Sequence, residues 1–475
     1  DHHQGKSCRH VSCEELAVFL TLLGRELRSH LLTYRFALSS GLLFLLLVGS
    51  ATILGVNYDR RLDAFTEAQS AREQKLAEST DFRTLQWQGT QQEKPPNPLS
   101  VFTVGLEREL SRSVKIAVRD EPTLGRSKFS NPLFVLFPAP DFLYIVNIVG
   151  SLLAILFAFN AISGDHEDGT LRLVMSHPVP RHMVLLAKWA GGFLALLVPL
   201  LASTLMGLLV ASTTTSFVLR GADTSAFIGM LLVATLYLSM FFTLALSVSV
   251  LTRRSSTSLV ICFLIWVLWV LAVPNVAPIV ARAIIPVPSA GAIASERTAI
   301  RRAAFAGMRR RGLDRDQRDA LREEAELRQA KETDALMSDF ARRLQAQVEA
   351  STTMARLSPS ASYVYATASL AGSGLAEFSA LRVYIDRYRV EFAEALERIQ
   401  SDRRRSVEGI QDREERDEIM EAPIDPDDLP VFAPPRIPLA QIAADGQIDI
   451  LLLVILNGTF FLLAYLGFLR YDLAS

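Results

Sequence analysis

The chain has 475 residues, with 49 basic and 50 acidic side chains, a net charge of −1, 50% hydrophobic and 21% charged residues, and a mean hydropathy of +0.26. The missing basic surplus argues against a nucleic-acid binder, three cysteines exclude a disulfide scaffold, and the aliphatic content excludes disorder. The apolar residues fall into blocks of about twenty between long charged stretches, the distribution of a polytopic membrane protein.

Residues 1–35 read as a tail carrying an amphipathic interface helix over 14–35. Leu16, Phe19, Leu20, Leu23, Leu27 and Leu31 face one way, and Arg25, Glu26 and Arg28 another. Cys8, His10 and Cys13 match no compact zinc spacing, so no metal is expected. Six blocks are long enough to cross a bilayer: 36–56, 142–163, 185–211, 226–251, 257–276 and 448–469. None carries a charge near its centre except for Lys188, close to one end of the third. The first block is too long for a signal h-region and lacks a small-x-small cleavage site, so it is expected to remain as a span; the start at Asp1 points to a translational start elsewhere.

Basic residues set the orientation. Arg25, Arg28 and Arg35 precede the first span, Arg172, Arg181 and Lys188 lie between or beside the second and third, Arg253 and Arg254 separate the fourth and fifth, and Arg470 opens the tail 470–475. If six spans alternate, all fall on one side, which is cytoplasmic. The other side then receives two insertions, 57–141 and 277–447, of about 85 and 170 residues, each of subdomain size. Neither contains a cysteine or a usable N-x-S/T sequon, which leans towards a bacterial inner membrane. The expected fold is a mainly α membrane protein with six transmembrane helices and two extracytoplasmic insertions, the second largely helical.

Within the first insertion, 59–77 should continue the first span as an exposed helix, 94–98 is a stiff proline linker, and 99–116 suits a strand or short helix. In the second, Leu321, Ala325, Leu327, Leu336, Phe340 and Leu344 recur at near-helical spacing within 295–349, which predicts a helical hairpin broken near Gly312. Residues 357–374 are small, aromatic and uncharged, as at a membrane interface, and 425–438 is a proline-dense linker.

Catalytic signatures are missing: there is no H-E-x-x-H, G-x-S-x-G or C-x-x-C, and Gly5-Lys6-Ser7 lacks the rest of a phosphate-binding loop. The chain is expected not to be an enzyme. The densest polar cluster beside a span is Asp165-His166-Glu167-Asp168, followed by Gly169-Thr170-Leu171, Ser176, Pro178-Val179, Arg181 and Lys188. This string resembles the cytoplasmic loop of type-2 ABC exporter permeases, roughly E-x-x-x-G-T-L and then S-x-P-V-x-R. Leu357-Ser358-Pro359-Ser360, the ending Leu469-Arg470-Tyr471-Asp472, and Asn97-Pro98-Leu99-Ser100 with Gly105-Leu106-Glu107 look like members with large extracytoplasmic insertions.

The resemblance implies a permease subunit of an ATP-driven exporter, with residues 164–184 as the coupling loop and Glu167, Asp168, Gly169, Thr170, Leu171, Ser176, Pro178 and Arg181 meeting the motor. It implies ABC ATPase subunits as partners, a second permease chain, identical or related, and membrane lipids. An extracytoplasmic protein is a further candidate partner, and nucleic acid is not one. No cofactor is expected in this chain; ATP and magnesium belong to the ATPase. The absence of charges along the spans favours an amphiphilic or peptide-like cargo. A rival reading is a membrane-anchored sensor or assembly scaffold working through its insertions.

Residues 275–289 stay apolar but carry prolines, which should end the fifth span. A short re-entrant helix there, with Pro278, Ile279, Ile284 and Pro286, would join Ser358, Pro359 and Tyr363 as an outer gate. The alternative is that both runs form the buried base of the outer domain.

Overall fold

The computed structural model describes residues 4–79, 85, 89–108, 113–117, 123–125, 140–176, 179–309, 315–422, 424–425, 428–434 and 437–470. It is mainly helical, and among the described residues six helices are long and apolar enough to cross a membrane: Tyr34–Gln74, Phe142–Glu167, Arg181–Thr214, Ala222–Leu251, Ser255–Ile284 and Gln447–Leu469. They are called here the first to sixth spans. The chain divides into a unit of Asp1–Leu264 with Ser362–Ser475, and a unit of Ile265–Ala361.

In the larger unit the fourth span is the hub. Of its most apolar window 78% is buried, against 11% for the sixth, so the fourth is packed by protein and the sixth is largely uncovered. Small polar side chains knit the spans together. Asn457 Nδ2 donates to Ser239 Oγ at 2.8 Å, while Thr243 Oγ1 donates to Asn457 Oδ1 at 3.1 Å and accepts from Trp189 Nε1 at 2.9 Å. These bonds join the third, fourth and sixth spans away from water, where an unmet polar group is costly.

The first span continues as one helix, α2 (Tyr34–Ser79), far beyond its apolar part. Residues 99–116 hold both kinds of element that their pattern allows. Short 3₁₀ turns cover Pro98–Val101 and Gly105–Arg108, and a strand follows. Strands β1 (Thr90–Glu93), β2 (Ser113–Ile116) and β3 (Thr123–Gly125) form an antiparallel sheet with Thr90 opposite Ile116 and Val114 opposite Leu124. Val114 and Ile116 pack on Leu381, Ile385, Tyr388 and Phe392 of the helix Leu375–Ser406. Parts of both insertions therefore share one core.

In the smaller unit, helices Ala290–Ala304 and Arg315–Ala355 stand where a hairpin is expected, and Gly312 lies outside the described residues. Of the expected seam, Ala325 is buried but Leu327 is 67% exposed.

One expectation needs correction. The fifth span does not end at its prolines but runs on through Ile284. A π-helical stretch, Val267–Ala272, precedes the helix Val273–Ile284, and the amide of Val273 bonds to the carbonyl of Leu268, five residues back. In that register the missing N–H of Pro274 would face the Trp269 carbonyl. The Ser358 hydroxyl donates to that carbonyl instead. With the deficit met, proline sits in the first turn of a helix, where it is tolerated. Pro278, Ile279 and Ile284 thus belong to the continued helix rather than to a separate re-entrant one, and Pro286 follows outside regular secondary structure.

Candidate functional site

The second span contains a break that its sequence does not announce. The helix Ser151–Ala158 gives way to a turn over 159–162, and the chain resumes as the short helix Ser163–Glu167. Ser249 of the fourth span repairs the break: its Oγ accepts from the amides of Ile162 at 3.1 Å and Ser163 at 3.0 Å. Neither proline nor glycine marks the turn. The readable trace is the pair of serines, Ser163 and Ser249, each buried within an apolar span.

Gly169 follows with φ at +72°, the left-handed conformation in which a side chain would be strained. It turns the chain into the helix Thr170–Met175. Leu171 then plugs the loop down. It is 1% exposed, in a cluster with Ile162, Val184, Leu185, Leu246 and Phe468. Thr170 Oγ1 donates to the Asp165 carbonyl at 3.3 Å, and Ser176 Oγ to the Leu173 carbonyl at 2.7 Å. Asp168, Arg172 and Leu173 remain at the surface, Leu173 at 68% exposure. Pro178 lies outside the described residues.

Three charged contacts tie this loop to span ends. Asp165 Oδ2 lies 2.7 Å from Lys188 Nζ on the third span. Glu167 accepts from the Ser255 hydroxyl at 2.5 Å and from the Ser255 amide at 3.3 Å, placing a carboxylate at the N-terminus of the fifth span. Arg181 donates to the carbonyls of Leu469 at 2.7 Å and Phe468 at 3.2 Å, the C-terminal end of the sixth. Each contact places an opposite charge against a helix end or a buried ion, where such charges are most favourable.

The N-terminal helix, α1 (Gln4–Leu31), also reaches this site, with Arg25 and Arg28 exposed as expected but Glu26 not. Glu26 is on its packed face, 3.4 Å from Lys188 Nζ. Gly191 and Gly192 of the third span permit the approach: a Cβ on Gly191 would come within 2.8 Å of Glu26 Cβ, and one on Gly192 within 3.2 Å of His30 Nε2. Burial raises the Glu26 carboxyl pKa, but Lys188 and Arg25 together hold it below the usual carboxylate value. Burial lowers the His30 pKa, partly offset by Glu26. A buried lysine near a span end requires a counter-ion, so Lys188 was the signal in the sequence, although it could not name Glu26.

Ser358 serves the Trp269 carbonyl, and Pro359 opens the helix Pro359–Leu370. Tyr363 is fully buried and stacks on Tyr237 of the fourth span, ring centres 4.4 Å apart.

A family model described as an ABC-2 family transporter protein matches residues 20–473, nearly the whole chain. No curated protein matches it.

Proposed function

The chain belongs to the ABC-2 family of transporter membrane proteins, and from that premise we propose that it is the permease subunit of an exporter powered by a separate ATPase. It is a multi-pass membrane protein, and its family works with ABC ATPase subunits. The motor is proposed to act on the loop from Asp165 to Arg181, at the cytoplasmic face of a bacterial inner membrane. The insertions would then lie outside, and a second permease chain would complete the pathway for an amphiphilic or peptide-like cargo. No catalytic step falls to this chain in that arrangement; ATP and magnesium are used by the ATPase.

One observation carries the reading. The loop is wired to several span ends at once, through Asp165–Lys188, Glu167–Ser255 and Arg181–Leu469, while Asp168, Arg172 and Leu173 are left exposed. A push on the exposed side would be delivered to the third, fifth and sixth spans together, which is what converting motor closure into bundle movement requires. Purification of the full chain in mild detergent tests it. An ATP-binding subunit should travel with the chain and be lost when Leu173 becomes Glu; a chain that retains no ATP-binding partner contradicts the reading.

A further inference from the structure

His30 stands at the seam between α1 and the bundle. Its ring centre lies 5.9 Å from that of Phe157 in the second span, and its Nε2 is so close to Gly192 that a Cβ there would come within 3.2 Å. That side of the imidazole is in contact with the third span, so water does not reach it there while α1 is seated. Three charged side chains act on the ring: Glu26, one turn earlier on the same helix, Lys188 on the third span, and Arg35 at the start of the first. Arg35 lies over the Phe159 ring at 5.5 Å and has no carboxylate partner among the described residues.

Glu26 is the shared element. It lies 3.4 Å from Lys188 Nζ, whose other partner, Asp165, is at 2.7 Å. Arg25, 3.2 Å from Glu26 and 57% exposed, meets it from the water side. Glu26 is also four residues before His30, the spacing at which side chains on one helix meet. Protonation of His30 changes the balance in three ways. The imidazolium becomes a rival of Lys188 for Glu26, it adds a positive charge beside Lys188 and Arg35, and it leaves that charge pressed against the third span without water. Each is relieved when α1 lifts and the ring reaches solvent. Burial raises the Glu26 carboxyl, but Lys188 and Arg25 hold it below the usual carboxylate value, so it stays ionised while His30 titrates. Burial, partly offset by Glu26, sets the His30 transition below 6.5.

We propose that His30 is an acid-operated release for α1: on proton uptake it takes Glu26 from Lys188, and α1 leaves the third span. Lys188 keeps Asp165, so the coupling loop stays fastened while the N-terminal helix is freed. What the release does to transport rests on the permease reading; the release itself does not.

The test uses the full chain in a neutral detergent, with Cys8, Cys13 and Cys262 replaced. Nitroxides are placed on Thr21→Cys, an exposed site on α1, and on Leu251→Cys, the exposed last residue of the fourth span. The distance distribution from electron–electron resonance should shift to longer and broader values between pH 7.5 and pH 5. His30→Leu and His30→Gln should each hold one distribution at both pH values. Glu26→Gln should show at pH 7.5 the longer distances that the parent reaches only in acid. A parent distribution indifferent to pH, a shift that survives both His30 substitutions, or a Glu26→Gln chain that keeps the parent's distances at both pH values overturns the proposal. Because ATPase attachment is not read, a negative result here leaves the permease reading standing, and loss of that reading leaves the release intact.

Discussion

Asp165 and Lys188 form an ion pair 2.7 Å long that fastens the short helix at the end of the second span to the third. Lys188 is 6% exposed, and Glu26, 3.4 Å away, is its second partner. Removing one partner of a buried pair leaves a charge that the interior cannot solvate. Asp165→Asn should therefore lower stability by about 1–3 kcal/mol in a detergent unfolding series. The exchange Asp165→Lys with Lys188→Asp should recover part of the loss, which a purely steric role for these side chains would not allow.

The approach of α1 to the third span depends on Gly191. Gly191→Ala should push the helix away, because the new methyl meets Glu26 Cβ at 2.8 Å. Thiol labelling of Leu23→Cys, half-buried in the parent, should then accelerate. Gly24→Ala is the control: nothing lies within 4 Å of the added methyl, and the helix gains about 1 kcal/mol of propensity.

Much of this was legible in the sequence, and the gaps have identifiable causes. Six spans follow from apolar block length, which the bilayer dictates directly. Gly169-Thr170-Leu171 and Arg181 stood out as a string, although not as a turn, a plug and a helix cap. Glu26 was assigned outward because charge normally faces water; a lysine on another helix, 162 positions away in the chain, reverses that choice. The fifth span was ended too early because proline deletes a donor, and only the fold shows Ser358 replacing it. Such pairings between distant elements have no periodicity to betray them.

That replacement predicts a coupling. Ser358→Ala should destabilise the protein by about 1–2 kcal/mol, since it removes a hydroxyl donor from the Trp269 carbonyl. In a Pro274→Ala background, where an amide N–H becomes available in the π register, the same change should cost measurably less. A thermal-unfolding double-mutant cycle reads the difference, and strict additivity would argue against the exchange of donors.

His30 supplies a pH dependence. Its folded pKa is lowered from 6.5 by burial, so the unfolded chain binds the proton more readily and stability rises with pH through that window. The contribution is present above about 6.5 and is lost as pH falls towards the lower folded value. Labelling of Leu23→Cys, taken relative to a denatured-chain thiol at the same pH, should consequently increase between pH 7.5 and 5.5, and His30→Leu should flatten that ratio.

We propose that a separate motor engages the loop at its exposed residues, Asp168, Arg172 and Leu173. Site-directed crosslinking of the full chain in native membranes measures this directly, with single cysteines at Asp168, Leu173 or Arg322. A thiol crosslinker should join the first two to a polypeptide that binds ATP, with a yield that changes when ATP is hydrolysed, while Arg322→Cys on the helix Arg315–Ala355 gives none. An ATP-binding partner captured through Arg322→Cys, or through neither loop position, would contradict the account.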